Sequence, residues 1–177
     1  IFLPNTYEFY WNTNADQFRD KMLKYYKMFW NSSRIDKAKS YGLNPVEVSV
    51  LASIVQRETP KIDERPTISG VYYNRLKKRM KLQADPTIQY LIPGNPKALS
   101  LRDLKRVSPY NTYLNYGLPP GPINNPGLES IRAALYPAST DYLYFVAQGD
   151  GSHVFTTNQQ DHLKAKKLYK QYKRENR

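Results

Sequence analysis

The segment from Asn44 to Thr59 constrains this chain most, because its residues predict a complete helix with both ends marked. Asn44 is a favourable N-cap residue, Pro45 suits the first helical position, and Glu47 stands where it can close a capping box. Pro60 then ends the helix, because proline lacks the backbone N–H that the helical ladder needs. Such defined ends fix which residues face the protein interior.

An acidic residue lies on the inner face of this predicted helix. Leu51, Ile54 and Val55 fall on one face of a 3.6-residue period. Glu58 follows Ile54 by four residues and Val55 by three, in the middle of this apolar stripe. Gln56 points elsewhere. The periodicity therefore separates two neighbouring polar positions, of which Glu58 alone faces inward.

Burial and the helix dipole are both expected to raise the pKa of Glu58. A carboxylate on a core-facing stripe loses hydration, and the last turn of a helix is the negative end of its dipole. A carboxylic acid with a raised pKa can give and take a proton near neutral pH. Two simpler arrangements stay open: an ion pair with an arginine such as Arg65 or Arg75, or a side chain turned out to solvent.

Composition is that of a globular domain without cysteine chemistry. Of the 177 residues, 40% are hydrophobic and 24% charged, and no apolar run approaches membrane-spanning length. Because the chain has no cysteine and only two histidines, we expect no disulfide, no thiol nucleophile, no metal site and no cofactor. The sequence opens without Met or a signal peptide, and we expect it to be a piece of a longer protein.

The formal net charge of +12 suggests an anionic partner, such as nucleic acid, a membrane surface or an acidic wall polymer. Much of the excess lies in two short runs, which are typical of solvated helix faces. We expect no nucleic-acid partner, because the basic residues form no recognisable reading element. The 16 tyrosines suit stacking on sugar rings or bases, or half-buried positions around the core.

The order of predicted elements indicates an α+β fold. A helical front half holds the helix with Glu58, a late β-hairpin forms a small sheet, and a basic helix capped by Asn158 ends the chain. The hairpin is expected to pair residues 142–147 with 153–157. We expect a single domain over 1–177, divided into a leading segment with an amphipathic helix at 1–40, a catalytic core at 41–165 and a basic tail at 166–177.

Three local expectations concern helix boundaries. Thr13 is the expected cap of the first helix, and residues 31–40 are expected to form a polar link. Asn125 is expected to cap a later helix with Pro126 at its first position.

A long loop is predicted at residues 108–127, which contain five prolines and three glycines and no credible helix or long strand. Long loops inside compact domains are usually functional or disordered. Tyr110, Tyr113 and Tyr116 argue against disorder, because disordered segments are poor in aromatic residues. The sequence therefore favours an ordered binding loop that lines a cleft.

Six short motifs follow one another along the chain with the order and spacing of one known family. They are Ala52–Val55 with Glu58–Thr59, Tyr73–Leu76, Leu82–Thr87, Tyr110–Tyr113, Gly117–Ile123 and Tyr142–Val146. Together they resemble the YceG-like family, the MltG endolytic murein transglycosylases, from near residue 1 to about residue 165.

The resemblance implies an enzyme that cleaves peptidoglycan between N-acetylmuramic acid and N-acetylglucosamine. The implied reaction is a lyase reaction, in which the muramic C6 hydroxyl attacks C1 and leaves a 1,6-anhydro end. Glu58 matches the family's catalytic glutamate, the second acidic position of an E-x-E pattern, and would be the single general acid/base. The first position of that pattern is Gln56, where this chain departs from the family.

The candidate substrate-binding residues implied by the resemblance are polar or aromatic side chains of the motifs and the hairpin. They are Asn74, Arg75, Gln83, Asp85, Tyr110, Asn111, Tyr113, His153 and Asn158. Asp85 is expected either to contact substrate or to cap the following helix, and Asn74 and Arg75 either to orient Glu58 or to support the site. His153 is expected to be a structural residue or a substrate contact rather than a proton carrier.

The resemblance also implies partners and a location. Peptidoglycan strands are the implied substrate, and cell-wall synthesis machinery is the implied partner. The full-length protein is expected to have an N-terminal membrane anchor and to act on the extracytoplasmic face of the membrane. The alternative is a non-catalytic peptidoglycan-binding module, in which Gln56 marks lost catalysis and tyrosines stack on sugar.

Overall fold

The computed structural model describes residues 2–94 and 98–176 of the chain. Helices come first, and a two-stranded antiparallel sheet and a long helix follow, which confirms the expected α+β class. The elements are α1 Ala15–Phe29, α2 Ser32–Ser40, α3 Pro45–Glu58, a 3₁₀ helix Ile62–Glu64, α4 Arg65–Lys77, α5 Asp85–Gln89, a second 3₁₀ helix Asp103–Lys105, α6 Leu128–Leu135, β1 Tyr144–Ala147, β2 His153–Thr156 and α7 Gln159–Glu175.

Helix α3 is the central element, and its N-terminus forms as the sequence predicts. The Asn44 side-chain oxygen accepts hydrogen bonds from the backbone N–H groups of Val46 and Glu47, at 2.9 and 3.0 Å. The Glu47 carboxylate in turn accepts one from the Asn44 N–H at 2.8 Å, which completes the capping box. Every residue from 48 to 55 is buried, so the middle of α3 is enclosed on all sides and not along one stripe alone.

Helices α4 and α6 pack against α3 and form the hydrophobic core with it. Ile68 of α4 and Ile131 and Leu135 of α6 have no exposed surface, and Tyr72 of α4 has 1%. Burying a side chain of this size contributes roughly 1.5–3 kcal/mol. This packing fixes the C-terminal end of α3, where Glu58 lies.

The first helix begins one residue later than expected. Asn14 is the cap of α1, not Thr13. The Asn14 side-chain oxygen accepts from the Gln17 N–H at 2.9 Å, and the Gln17 side-chain oxygen accepts from the Asn14 N–H at 3.0 Å. This reciprocal pair satisfies two backbone donors, which a threonine at position 13 followed by Asp16 does not do here.

The expectation of a polar link at residues 31–40 is wrong, because this segment forms α2. The Asn31 side chain caps it by accepting a hydrogen bond from the Arg34 N–H at 3.0 Å. Ala38 is fully buried and Ile35 packs against the core. The contact of Ile35 and Ala38 with the core therefore stabilises α2, whose other residues are polar.

Helix α6 begins two residues later than expected, after Gly127, and receives its cap from another helix. Asn125 makes no cap for it. The Gln56 side-chain oxygen accepts hydrogen bonds from the Gly127 N–H at 2.6 Å and from the Ser130 hydroxyl at 3.2 Å. A residue of α3 thus satisfies a backbone donor at the N-terminus of α6.

The predicted hairpin and final helix are confirmed. Strands β1 and β2 pair with Phe145 opposite Phe155, and the Asn158 side-chain oxygen caps α7 by accepting from the Asp161 N–H at 2.9 Å. Helix α7 packs across the hairpin as one continuous helix, so the expected division at residue 165 falls inside it. In the described ranges, no helix has both the length and the apolar content needed to cross a lipid bilayer.

The capping of α6 by Gln56 predicts a stability effect that depends on the side-chain acceptor. Gln56→Ala leaves the Gly127 N–H without its partner, and we expect the free energy of unfolding to fall by about 1–3 kcal/mol. Gln56→Glu keeps an acceptor for both hydrogen bonds, so we expect a smaller loss than in Gln56→Ala. Urea unfolding measures both, with Gln160→Ala on the exposed face of α7 as the control. Equal losses for the Gln56→Ala and Gln160→Ala variants would contradict this role.

Candidate active site

A cleft of about 540 Å³ opens at the C-terminal end of α3. Helix α4, the segment leading into α5, the β-hairpin and α7 enclose it. Its volume lies in the range of small-ligand sites. Its lining residues are Glu58, Tyr72, Arg75, Leu82, Gln83, Asp85, Tyr113, Tyr144, Phe145, Val146, Ala147, His153, Gln159, His162, Leu163, Lys166 and Tyr169.

Glu58 contributes to this cleft a carboxyl group with an elevated pKa. Burial raises the pKa of Glu58 to about 7. A hydrogen bond from Tyr72 opposes the rise, the negative charge of Asp85 adds to it, and the positive charge of Arg75 opposes it. Both protonation states are therefore populated near neutral pH, as general acid/base chemistry requires.

Tyr72 orients the Glu58 carboxyl group. Its hydroxyl donates a hydrogen bond to Glu58 Oε1 at 2.5 Å. Burial and the neighbouring Glu58 raise the pKa of Tyr72 well above its usual range, so the phenol stays protonated and remains a donor. Because Oε1 is held by Tyr72, the second carboxyl oxygen, Oε2, is left to meet a ligand.

Asp85 is the second carboxylate of the cleft, and it is bound to a tyrosine of the long loop. The Tyr113 hydroxyl donates a hydrogen bond to Asp85 Oδ1. Burial, followed by this hydrogen bond and the charge of Asp85, raises the pKa of Tyr113. Asp85 is the first residue of α5 and makes no cap hydrogen bond, so the interpretation as a helix cap is wrong.

Gln83 adopts a backbone conformation that few residues other than glycine occupy. Its φ angle is 50°, in the left-handed region. The Gln83 N–H donates to the Thr112 carbonyl at 3.1 Å, and the Ala84 N–H donates to the Thr112 hydroxyl at 2.9 Å. Strained backbone persists where surrounding contacts fix it, and such positions cluster at functional sites.

The long loop is ordered and contributes to the cleft. Residues 108–127 contain neither helix nor strand, as expected, and Tyr113 lines the cleft. The far end of the loop is fastened to α3: the Ile123 N–H donates to the Ser53 hydroxyl at 3.0 Å, and the Asn124 amide donates to the Ser53 carbonyl at 2.7 Å. The loop therefore joins the cleft and the central helix.

Comparison with known proteins identifies the family. A sequence model of the YceG-like family matches residues 1–168. The chain belongs to the YceG-like family. The six motifs that suggested the resemblance all lie within the matched region, and all but Gly117–Ile123 contribute residues to the cleft lining.

Relatives of this YceG-like chain include two named endolytic murein transglycosylases. One, from Bacillus subtilis, is 48% identical over 119 residues, which are 67% of this chain and 33% of the relative. The other, from Streptococcus pneumoniae strain R6, is 34% identical over 169 residues, which are 90% of this chain and 30% of the relative. The chain spans about a third of the length of the curated relatives it matches.

The fold is shared with a solved structure of the family. A crystal structure of a YceG-like protein from Listeria monocytogenes superposes with a TM-score of 0.78 at 37% sequence identity. The match covers 92% of this chain and 53% of the Listeria chain.

The structure brings five of the expected substrate-binding residues to the YceG-like cleft: Arg75, Gln83, Asp85, Tyr113 and His153. Arg75 is 7% exposed, and its guanidinium donates to the backbone carbonyls of Leu143 and Leu82, each at 2.7 Å. Among the described residues no ion pair joins it to Glu58, so Arg75 supports the cleft wall and acts on Glu58 through its charge.

Four expected site residues lie outside the cleft lining: Asn74, Tyr110, Asn111 and Asn158. The Asn74 amide donates to the carbonyls of Thr140 and Tyr142 at 2.7 and 3.0 Å. These hydrogen bonds hold the segment that leads into β1. The Tyr110 ring lies 5.0 Å from that of Tyr90, and Asn158 caps α7.

Asn111 acts on the cleft through the shape of the loop. It is fully buried, and its amide donates to the carbonyls of Leu104 and Arg106 at 3.0 and 2.7 Å. Its side-chain oxygen accepts from the Tyr113 N–H at 2.8 Å. Asn111 therefore places Tyr113, which reaches the cleft.

Sequence reasoning missed three parts of the site. Tyr72 was not among the expected site residues, although a buried tyrosine hydroxyl needs a partner, and that need was the available signal. Glu64 binds His153 and had no sequence signal. Helix α7, expected as a solvated basic tail, contributes His162 and Lys166 to the cleft. Burial lowers the pKa of His162, and Lys166 lowers it further.

The raised pKa of Glu58 predicts that its burial costs stability at high pH. Between the usual value of 4.5 and the folded value of about 7, the folded state binds a proton that the unfolded state has lost. The free energy of unfolding therefore falls through this window as pH rises, by up to about 3 kcal/mol. The Glu58→Gln variant should be more stable than wild type above pH 7, and the two should be similarly stable near pH 4.5.

Urea unfolding of both proteins at each end of this window isolates the effect, because other titrating groups are common to both. Glu8→Gln, at an exposed position, is the control and should show no such difference. A Glu58→Gln variant whose stability relative to wild type is independent of pH would show that the carboxyl group is not buried as described.

The hydrogen bond from Tyr72 predicts the pKa of Glu58 in a second variant. Tyr72→Phe keeps the ring in the core and removes the donor that favours the ionised carboxylate, so the pKa of Glu58 should rise above about 7. Carbon-13 NMR titration of the Glu58 carboxyl measures it. Tyr73→Phe is the matched control. It removes a tyrosine hydroxyl from the same helix, but that hydroxyl donates to the Ala134 carbonyl, at 2.8 Å, and not to Glu58. An unchanged titration midpoint in Tyr72→Phe would rule out this contact.

Proposed function

We propose that this chain is the catalytic part of an endolytic lytic transglycosylase that cleaves the glycan strands of peptidoglycan. The observation that carries the proposal is the Glu58 carboxyl group, whose pKa is about 7, in a cleft of about 540 Å³. The relatives named endolytic murein transglycosylases support the substrate class.

In the proposed reaction, Glu58 is the only group that transfers protons. The protonated carboxyl gives its proton to the glycosidic oxygen while the bond from that oxygen to C1 of the muramic residue breaks. The resulting carboxylate accepts the proton of the C6 hydroxyl as O6 bonds to C1. The products are a 1,6-anhydro-muramic end and a new glucosamine hydroxyl, Glu58 is protonated again, and no water is consumed.

The proposed lyase reaction needs no second carboxylate that acts on water. Hydrolytic glycosidases use one carboxyl as an acid and a second as a base toward water or as a nucleophile. Asp85 accepts a hydrogen bond from Tyr113, which occupies one of its oxygens. In this proposal Asp85 contributes its negative charge, which helps to keep Glu58 protonated until the substrate arrives.

The aromatic and polar lining supports a glycan as the ligand. Tyr113, Tyr144 and Tyr169 present flat faces with a polar end, which suit the mixed surface of a pyranose ring. Gln83 offers an amide for an N-acetyl or hydroxyl group. We further propose that the full-length protein is anchored in the membrane, acts on its extracytoplasmic face and works beside the cell-wall synthesis machinery.

Digestion of isolated sacculi tests the proposed function. Wild-type protein should release muropeptides with 1,6-anhydro ends, detected by mass spectrometry, and Glu58→Gln should lower the rate by about 10²–10⁴-fold, the usual contribution of a general acid/base. Glu129→Gln, at an exposed position on α6, is the control for loss of a glutamate. Near wild-type cleavage by the Glu58→Gln variant would remove this residue from the role.

The same digest separates the alternative of a non-catalytic glycan-binding module. A binding module would be retained on sacculi while producing no new anhydro ends. Products with free reducing ends in place of anhydro ends would instead identify a hydrolase, and Asp85 would then be the base to examine.

A further inference from the structure

A third acidic residue, Glu64, lies beside the cleft, and its carboxylate makes three polar contacts. Its carboxylate accepts from the His153 backbone N–H at 2.8 Å and contacts the His153 ring atom Nδ1 at 2.7 Å. It also accepts from the Thr59 hydroxyl at 3.2 Å. The two side chains are nearly buried, with exposed fractions of 13% for Glu64 and 10% for His153. These contacts join the residue after Glu58 to the first residue of β2.

The contact with Glu64 decides which ring nitrogen of His153 bears the hydrogen. An ionised carboxylate only accepts hydrogen bonds, so Nδ1 must be the donor in this pair. In a neutral imidazole the other nitrogen, Nε2, is then an acceptor. Because Nδ1 is occupied by Glu64 and the ring lines the cleft, Nε2 is the nitrogen available to a ligand there.

Packing fixes the plane of the ring. The Phe145 ring meets the His153 ring edge to face, with centroids 5.5 Å apart and an interplanar angle of 84°. The same Phe145 ring meets Tyr72 at 6.0 Å and 87°, and Tyr72 binds Glu58. The Phe145 ring therefore contacts both the His153 imidazole and Tyr72, the residue that binds Glu58. His153 and Glu58 both line the cleft.

We propose that Glu64 holds His153 in the tautomer whose Nε2 accepts a hydrogen bond from a hydroxyl of the sugar bound in the cleft. The inference rests on the proposed function for the kind of ligand. Glu64 is a positioning residue, which acts through His153, whereas His153 itself touches the substrate. Glu58 remains the group that transfers protons.

Histidine-to-asparagine replacement separates this role from a structural one. His153→Asn keeps a nitrogen donor close to the position of Nδ1, so the contact with Glu64 can persist while the cleft-facing nitrogen is lost. A purely structural His153 would tolerate this change. The proposed role predicts weaker binding of a soluble glycan fragment, by about 3- to 10-fold, as expected for one hydrogen bond.

Binding is measured in the Glu58→Gln background, so that cleavage does not interfere and the result does not depend on turnover. An equal affinity for glycan in the Glu58→Gln protein and in Glu58→Gln/His153→Asn would overturn the inference, while leaving the digest of sacculi to decide the proposed function. Conversely, a weaker affinity in the double variant would support the inference even if wild-type protein released no anhydro ends.

Nitrogen-15 NMR of the imidazoles gives a readout that a structural role would not move. The chain has two histidines, so the spectrum contains two imidazoles, and His153→Asn assigns them. At alkaline pH we expect His153 with its hydrogen on Nδ1, and a shift of the Nε2 signal when glycan is added.

Glu64→Gln provides the second variant, should His153→Asn fail to fold. Its amide can donate to Nδ1, which moves the ring hydrogen to Nε2 and removes the acceptor from the cleft. Because a sugar hydroxyl can also accept from this N–H, the variant is examined by nitrogen-15 NMR, which should place the ring hydrogen on Nε2. A ring hydrogen that stays on Nδ1 in Glu64→Gln would overturn the role given to Glu64. A ring hydrogen on Nε2 in the wild-type protein, or an Nε2 signal unmoved by glycan, would contradict the proposal.

Discussion

The hydrogen bond between Glu58 and Tyr72 links the packing of the core to the chemistry of the cleft. A carboxyl group removed from water favours its neutral form, and a buried phenol needs a hydrogen-bond partner. The Tyr72 hydroxyl donates to Glu58 Oε1 at 2.5 Å, so the phenol gains an acceptor and the carboxyl gains a donor. The two residues meet because α4 packs against α3. The burial that stabilises these helices is therefore also the cause of a pKa near 7 at Glu58.

Polar residues of α3 and its C-cap, Thr59, hold the surrounding elements in place. Ser53 binds the end of the long loop, Gln56 caps α6, and Thr59 binds Glu64 and through it the hairpin. These residues are spaced by three, next to the apolar positions that form the core. Because one helix fixes the acid and also fastens the loop, α6 and the hairpin, the cleft keeps a defined geometry around Glu58.

Periodicity and capping rules predicted what is local, namely the limits of α3, the inward position of Glu58, the hairpin and the cap of α7. Those rules could not predict contacts between segments that are distant in the sequence. The left-handed backbone of Gln83 depends on Thr112, and the pairing of Glu64 with His153 joins residues 89 positions apart. Asn111 was expected to touch the ligand, but its polar atoms bind the loop itself, since a buried amide must satisfy its own hydrogen bonds first.

The departure from the family's E-x-E pattern has a physical explanation in the contacts of Gln56. The Gly127 N–H and the Ser130 hydroxyl donate to this position, and an amide oxygen can accept both hydrogen bonds, as a carboxylate oxygen can. Gln56 does not line the cleft, whereas Glu58 does. Replacing glutamate by glutamine at the first position therefore removes a charge near a helix N-terminus and leaves Glu58, the residue proposed to transfer protons, unchanged. The feature that suggested a non-catalytic binding module is thus accounted for by the packing of α6 against α3.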